Sequence, residues 1–388
     1  MSTPLSSFRR FAAVLVGIVF LCSGLLKIID PVGTMLIVRE YMKFFHFTLF
    51  FPIAKVLGIA LATTEALVGV ALITGVFRKS AALLTYAMLI FFTVVTFFLW
   101  VFNPVMDCGC FGEAIHLTHA QSFFKNIALI ALSVFAFTPF KEFGVSRKDR
   151  RVSAVMATLA VLFAVYYSNT HLPIVDFTAF DWGAELLAST EGEVAEDNHY
   201  QASFIYEKDG RRKSFTLDAL PDSSWVFVGV DSLARGAAFK DEYPVLSFRN
   251  KAGEYLDHLA AQGRVVVISV YDARHARWEQ VEWQYRDVAA AGATPLVITS
   301  ASPSDVPPSL PAYFADYKTL ITLNRSNGGG SYFCDGELVN KWDARHVPDN
   351  LEADFRTDPV TLSSRSIVNR RLKAQGYCVL LAAVLLLI

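Results

Sequence analysis

Long uncharged runs, each closed by charged or turn-forming residues, dominate the first 172 positions of the chain. Residues 11–26 (FAAVLVGIVFLCSGLL) are followed by Lys27 and then Asp30-Pro31. A second run covers about 54–77, with Glu65 inside it. A third covers 80–102, a fourth 122–140 and a fifth 152–172. A helix of about 20 such residues crosses the ~30 Å hydrocarbon core of a bilayer, so each run predicts a membrane span. The alternative for the first run is a cleaved signal peptide, because Arg9-Arg10 precede it. The spans directly behind it favour a retained anchor. The last apolar stretch, GYCVLLAAVLLLI (376–388), reaches spanning length only if its helix begins near Val368 and takes in Arg370, Arg371 and Lys373. It is read as a C-terminal anchor.

From His171 to about Ser366 the pattern changes to one of alternating and buried strands with a helix between them. ASFIYEKDGRRKSFTL alternates about Asp209-Gly210, which predicts a β-hairpin, and SWVFVGV reads as a strand. RVVVISVYD (264–272) is an unbroken β-branched run, as a central strand covered on both faces requires. ARWEQVEWQYRDVAAAG predicts a helix closed by Gly292. TPLVITSA is a second buried strand, a Pro-rich link (303–311) follows, and GSYFCDGELVNKWD turns as a hairpin at Asp335-Gly336. The acidic stretch 176–200 is expected to be a loosely structured approach.

Composition agrees with a membrane protein. Of the 388 residues, 53% are hydrophobic and 18% charged, and mean hydropathy is +0.38. The net charge of −1 gives no reason to expect a nucleic-acid partner. The positions of the cations are more informative. Arg9-Arg10, Arg78-Lys79 and the segment KEFGVSRKDRR (141–151) fall at every second junction between spans. The positive-inside rule then places the N-terminus and residues 141–151 in the cytoplasm, and the 103–121 loop and the domain after the fifth span outside. The domain expectations are a membrane unit at 1–140, a cytoplasmic loop and fifth span at 141–172, an exported domain at 173–366, and an anchor at 367–388.

Two features carry candidate chemistry. The loop NPVMDCGCFGEAIH (103–116) holds Cys108 and Cys110 one glycine apart, on the side assigned to an oxidising compartment. Three readings stand. The thiols could join His116 and His119 in a metal site. They could pair with another cysteine, although Cys22 and Cys378 lie inside spans. Or they form a dithiol–disulfide couple, whose small ring is strained and easily reduced. The second feature is Glu65, near mid-depth of its span, where a carboxylate is costly. Lys27 is its candidate partner in an intramembrane polar site, and a hydrogen bond to Thr63, Thr64 or another threonine is the structural alternative. In the exported domain, Asp272, Arg274 and His275 cluster after the first central strand and read as a solvated helix start. Cys334 reads as a small buried core residue.

The order strand, helix, strand, hairpin resembles a thioredoxin-like domain over about 245–345. Thioredoxins place Cys-x-x-Cys after the first central strand; here that position reads YDARHARW, and RSNGGG stands where a proline precedes the last hairpin. SGLLKIIDPVG, EALVGVALITGVFRKSAALL and DCGCFG followed by FFKNIALIAL resemble the DoxX/MauE-type redox-associated membrane proteins. In particular the chain is similar to the bacteroidete branch, in which the four-helix membrane unit carries a fifth span, an exported thioredoxin-like domain and a C-terminal anchor. The fold expected is therefore an all-α membrane bundle with an α/β thioredoxin-like domain attached. MauE is linked to maturing a disulfide-rich exported dehydrogenase beside a thioredoxin-like partner. The resemblance thus implies that Cys108 and Cys110 are a redox pair in the bacterial inner membrane. They would relay electrons between an exported thiol or thioredoxin-like protein and a membrane acceptor. No cofactor motif is evident; a quinone is a candidate acceptor that no residue encodes. The rival expectation is a non-enzymatic membrane scaffold, its helix bundle seated in the lipid bilayer, whose degenerate thioredoxin-like domain binds an envelope partner.

Overall fold

A computed structural model describes residues 4–104, 106, 108–138, 150–186, 202–208, 211–215, 225–232 and 244–386. The chain forms two compact units, one of residues 1–178 with 365–388 and one of residues 179–364.

The first unit is helical: α1 (Pro4–Ile29), α2 (Pro31–Phe44), α3 (Ala54–Thr74), α4 (Arg78–Phe102), α5 (His119–Phe137) and α6 (Arg151–Thr170). Five stretches are long and apolar enough to cross a membrane: Ser7–Ile29, Thr48–Thr74, Arg78–Phe102, His119–Phe137 and Arg151–Thr170. Outward-facing Leu83, Ile90, Phe91 and Val94 leave α4 with an exposed apolar face, as a lipid-facing helix has. The helix α10 (Pro359–Leu386) is 28 residues long. It begins well before Val368 and takes in Arg365 as well, so it lacks the apolar composition of the other five. Its C-terminal part packs on α6, where Ser153 donates to the Val384 carbonyl at 2.5 Å and Tyr377 to that of Ala160 at 3.0 Å.

Small residues set the closest helix contact. A methyl group placed on Gly24 would stand 2.5 Å from the Ala66 nitrogen, and one on Gly69 would stand 2.5 Å from the Leu21 nitrogen. Backbones of α1 and α3 therefore touch along a seam of Gly17, Gly24, Ala62, Ala66 and Gly69, the kind of packing that associates helices where lipid removes the hydrophobic drive. At one end of this pair Arg10 donates to the carbonyls of Leu72 (2.6 Å) and Ile73, closing the C-terminus of α3 with positive charge. The segment 30–53, between the first two apolar runs, holds α2 and a 3-10 turn at Thr48–Ile53. Asp30 caps α2 by accepting from the Gly33 nitrogen at 2.9 Å, with Pro31 at the first helical position.

The second unit is α/β. A five-stranded sheet has the order β7-β6-β5-β8-β9, where β5 is Arg264–Val270, β6 Thr294–Thr299, β7 Ala312–Phe314, β8 Gly329–Cys334 and β9 Glu337–Trp342. The first three are parallel, and β8 and β9 are antiparallel. Alternate residues of β5 enter opposite cores. Val266, Ile268 and Val270 face Val281 and Val288 of α7 (Trp278–Ala290), whereas Val265 and Val267 join Leu320 and Leu323 of α8 (Tyr317–Leu323). Both faces being covered explains the unbroken β-branched run. A short helix α9 (Leu351–Arg356) adds Phe355 to the first of these cores. A separate sheet pairs β2 (Ala202–Lys208) with β3 (Arg211–Phe215) and β4 (Val226–Ser232). The register Lys208↔Arg211 fits the hairpin read from Asp209-Gly210, but that turn lies outside the described residues.

Two expectations are corrected here. The stretch around the Pro-rich link also contributes β7 and α8, which its composition concealed. Cys334 sits at the end of β8, only partly buried beside exposed Asp335, and burial and that carboxylate raise its thiol above the ordinary range. The glycines of RSNGGG have a packing cause: the Trp342 indole lies on Gly330, and Asn324 ties the Gly330 and Trp342 carbonyls together at 3.0 and 3.2 Å. Gly330→Ala is expected to cost about 1–3 kcal/mol by overpacking, read as a lower thermal unfolding midpoint of the α/β unit.

Candidate functional site

The Cys-Gly-Cys loop lies between α4 and α5, against α1 and α2. Asn103 ends α4 in a left-handed conformation, and Thr118 starts α5 with a capping box, exchanging hydrogen bonds with Gln121 at 3.2 and 3.0 Å. Gly109 and Gly112 adopt φ of +60° and +63°, which only glycine takes readily. At Gly109 the reason is doubled, since Ile37 of α2 occupies the space a side chain would need. Tyr41, one turn further along α2, donates to the Cys108 carbonyl.

These bends bring the two sulfurs to 3.1 Å, both as free thiols. Cys108 is 3% exposed, and Cys110 is the more open of the two. The hydrogen bond between the two sulfurs is the leading cause that holds the Cys110 thiol down at about 5. Burial opposes this, while Lys125, Ser122 and Lys27 assist. Cys108 is pushed above its ordinary range, first as the donor in that bond and then by burial. The Ser122 hydroxyl is buried beside the two sulfurs. Lys125, one turn on, rests over the Phe111 ring at 4.8 Å.

Glu65 and Lys27 meet directly below the loop. Lys27 Nζ donates to Glu65 Oε1 at 2.6 Å and Oε2 at 2.9 Å, with both side chains buried. The close α1–α3 seam, with Gly24 one turn before Lys27, permits this. Ser23, also one turn before Lys27, links the pair to the loop: its Oγ lies 2.6 Å from Glu65 Oε2 and 2.7 Å from the Cys110 carbonyl. Thr63 and Thr64 instead bond back to Ile59 and Ala60 within α3 at 2.7 and 2.8 Å, so the threonine alternative for Glu65 fails.

The other candidates do not join. His119 Nε2 bonds the Pro104 carbonyl at 3.1 Å, and among the described residues no three His, Cys, Asp or Glu side chains are grouped to hold a metal ion. Asp272 caps the turn after β5 and takes His275 at 2.9 Å on an exposed surface; the side chains of Arg274 and Asp272 form no site. Sequence reading missed Ser23 and Tyr41. The i, i+4 spacing of Ser23 and Lys27 is the signal for the first, and the second has none, because no apolar run marks α2.

A multi-pass helical membrane unit with an α/β domain is thus the class of this protein. Residues 5–139 match the family model described as methylamine utilisation protein MauE, and this membrane unit is of the MauE/DoxX type. Residues 200–233 match a domain of unknown function, DUF8463. No curated protein and no solved structure matches the chain.

Proposed function

We propose that the protein is a thiol–disulfide redox carrier of the bacterial inner membrane, with the N-terminus cytoplasmic and the Cys-Gly-Cys loop and α/β domain on the outer side. The observation that carries the proposal is the pair of free sulfurs 3.1 Å apart in a glycine-bent loop, one of them acidified to about 5. A thiol that ionises this readily supplies the nucleophile of disulfide exchange at neutral pH. The Arg10 and Arg78 end of the bundle lies at the opposite end of α1 and α3 from the loop, which supports the orientation.

In the oxidised form, a thiolate of an exported thiol protein attacks Cys110, the more open sulfur, and the Cys108–Cys110 bond breaks with Cys108 taking up a proton. The partner's second thiolate then attacks the mixed disulfide and expels Cys110, whose low proton affinity makes it the better leaving group. The partner gains a disulfide, and Cys108 and Cys110 hold its two electrons. Passing two electrons to a membrane-soluble acceptor of the quinone class, which takes up two protons, one of them from Cys108, restores the disulfide.

The α/β unit supports a partner-binding role in this scheme. Its sheet order fits the thioredoxin-like reading, and Asp272 and His275 occupy the turn where thiols would cycle. Maleimide trapping in intact membranes checks the relay. Cys110 is expected to be labelled in the folded protein after reduction, Cys108 only once the protein is denatured, and neither after oxidation, and Cys110 labelling should fade only below about pH 5. Thiols that label identically under both conditions overturn it. The scaffold reading predicts that C108S/C110S keeps function while deletion of 173–365 removes it.

A further inference from the structure

We infer that Glu65 exchanges a proton in step with the redox state of the Cys108–Cys110 pair: it carries the proton while the thiols are reduced and gives it up when they form a disulfide. The inference rests on the thiol-redox reading above and adds a residue and a proton to it.

Ser23 carries the argument. A serine hydroxyl holds one proton, yet its oxygen lies within 2.6 Å of a Glu65 oxygen and 2.7 Å of the Cys110 carbonyl, and a carbonyl can only accept. The third neighbour, Lys27 at 3.2 Å, can only donate to Ser23. With Glu65 ionised, one of the two short contacts would set oxygen lone pairs against each other. A proton on Glu65 resolves the geometry. The carboxyl then donates to Ser23, Ser23 donates to the Cys110 carbonyl, and Lys27 donates to the other carboxyl oxygen. This arrangement is the one found with free thiols.

Charge balance gives the same answer. The groups facing Cys110 are Cys108 in its own loop, Lys27 from α1, Glu65 from α3 through Ser23, and Lys125 from α5. The side chains of Asp30 and Glu113 stand beside Gly33. Cys110 as a thiolate takes Lys27 as counter-cation, and a second anion on the same buried lysine is unfavourable. When the disulfide forms, the sulfur loses its charge, Lys27 is left with Glu65 as the one anion beside it, and the carboxylate ionises. The reduced pair therefore holds one proton on Cys108 and one on Glu65. Oxidation releases two electrons to the acceptor and both protons.

Two measurements on the full-length protein test this. Infrared difference spectroscopy is expected to show a protonated-carboxyl band in the thiol form that is lost on oxidation and absent in E65Q. Equilibration with a reference dithiol at several pH values above 5 counts protons. Below its own thiol pKa the reference dithiol also releases two protons on oxidation, so the wild-type exchange constant is expected to stay level with pH (two protons against two) and that of E65Q to change about tenfold per pH unit (one against two). The glutamine amide donates to Ser23 as the carboxylic acid would, so E65Q keeps the loop in place; a purely structural Glu65 predicts equal slopes. No carboxyl band in the thiol form, or equal slopes, overturns the inference. These outcomes are separable from failure of the relay. A disulfide that forms with one proton leaves the relay standing. Thiols that never oxidise end the relay, while the thiol-form band still tests Glu65.

Discussion

Gly69→Leu is expected to unfold the membrane unit or to leave it with a seam pried open, a loss of at least about 3 kcal/mol. The position has no slack. A methyl group there already falls 2.5 Å from the Leu21 nitrogen and 2.7 Å from the Gly17 carbonyl oxygen, and both are backbone atoms that no rotamer change can move. The helices must separate, and overpacking of a well-packed contact alone costs about 1–3 kcal/mol. Separation also stretches the Lys27–Glu65 contact, and breaking a buried pair adds a comparable amount. Gly69→Ala shortens the intrusion to one methyl and is expected to fall between wild type and leucine. The measurement is the thermal unfolding midpoint of the detergent-solubilised protein, with Cys110 labelling as a local probe. Leucine tolerated without a shift would mean that α1 and α3 do not touch at their backbones.

The same seam shows what could be read without coordinates. Spans announce themselves because a lipid-facing helix must be apolar all round, so runs such as 80–102 were legible from composition. The central strand of the α/β unit was legible for the same reason: Val265 to Val270 are buried on both faces. What failed was structure whose cause lies outside its own residues. α2 carries Arg39, Glu40 and Lys43, and only Asp30-Pro31 marks its start. β7 is three residues long and exists by pairing with β6. Glu65 and Lys27 were visible as polar residues in apolar runs, since burying charge is costly enough to need a partner. Ser23 was not, because a serine in a span is cheap and its role comes from a loop 87 residues away.

The Lys27–Glu65 pair gives the second large effect, with an instructive sign. In the disulfide form, where Glu65 is ionised, Lys27→Met is expected to destabilise the membrane unit by about 3–5 kcal/mol, because it strands a buried carboxylate, and Glu65→Met by a similar amount, because it strands a buried ammonium. The double variant K27M/E65M removes both charges and fills the space with apolar atoms of similar volume. Two buried ions in contact gain little more by Coulomb attraction than they lose by desolvation, so the double variant is expected near wild-type stability or above it. A double-mutant cycle of thermal midpoints measures this, with a coupling approaching the cost of either single change. Additive losses would show that the pair is not mutually dependent. If the coupling is found, stability gives no reason for this chain to keep two charges in a membrane span. The remaining reason is what they do to the loop above them. Without Lys27 the Cys110 thiolate loses a counter-cation, so the double variant is expected to fold and yet to need a higher pH for Cys110 labelling. That combination separates a pair kept for thiol chemistry from one kept as helix glue.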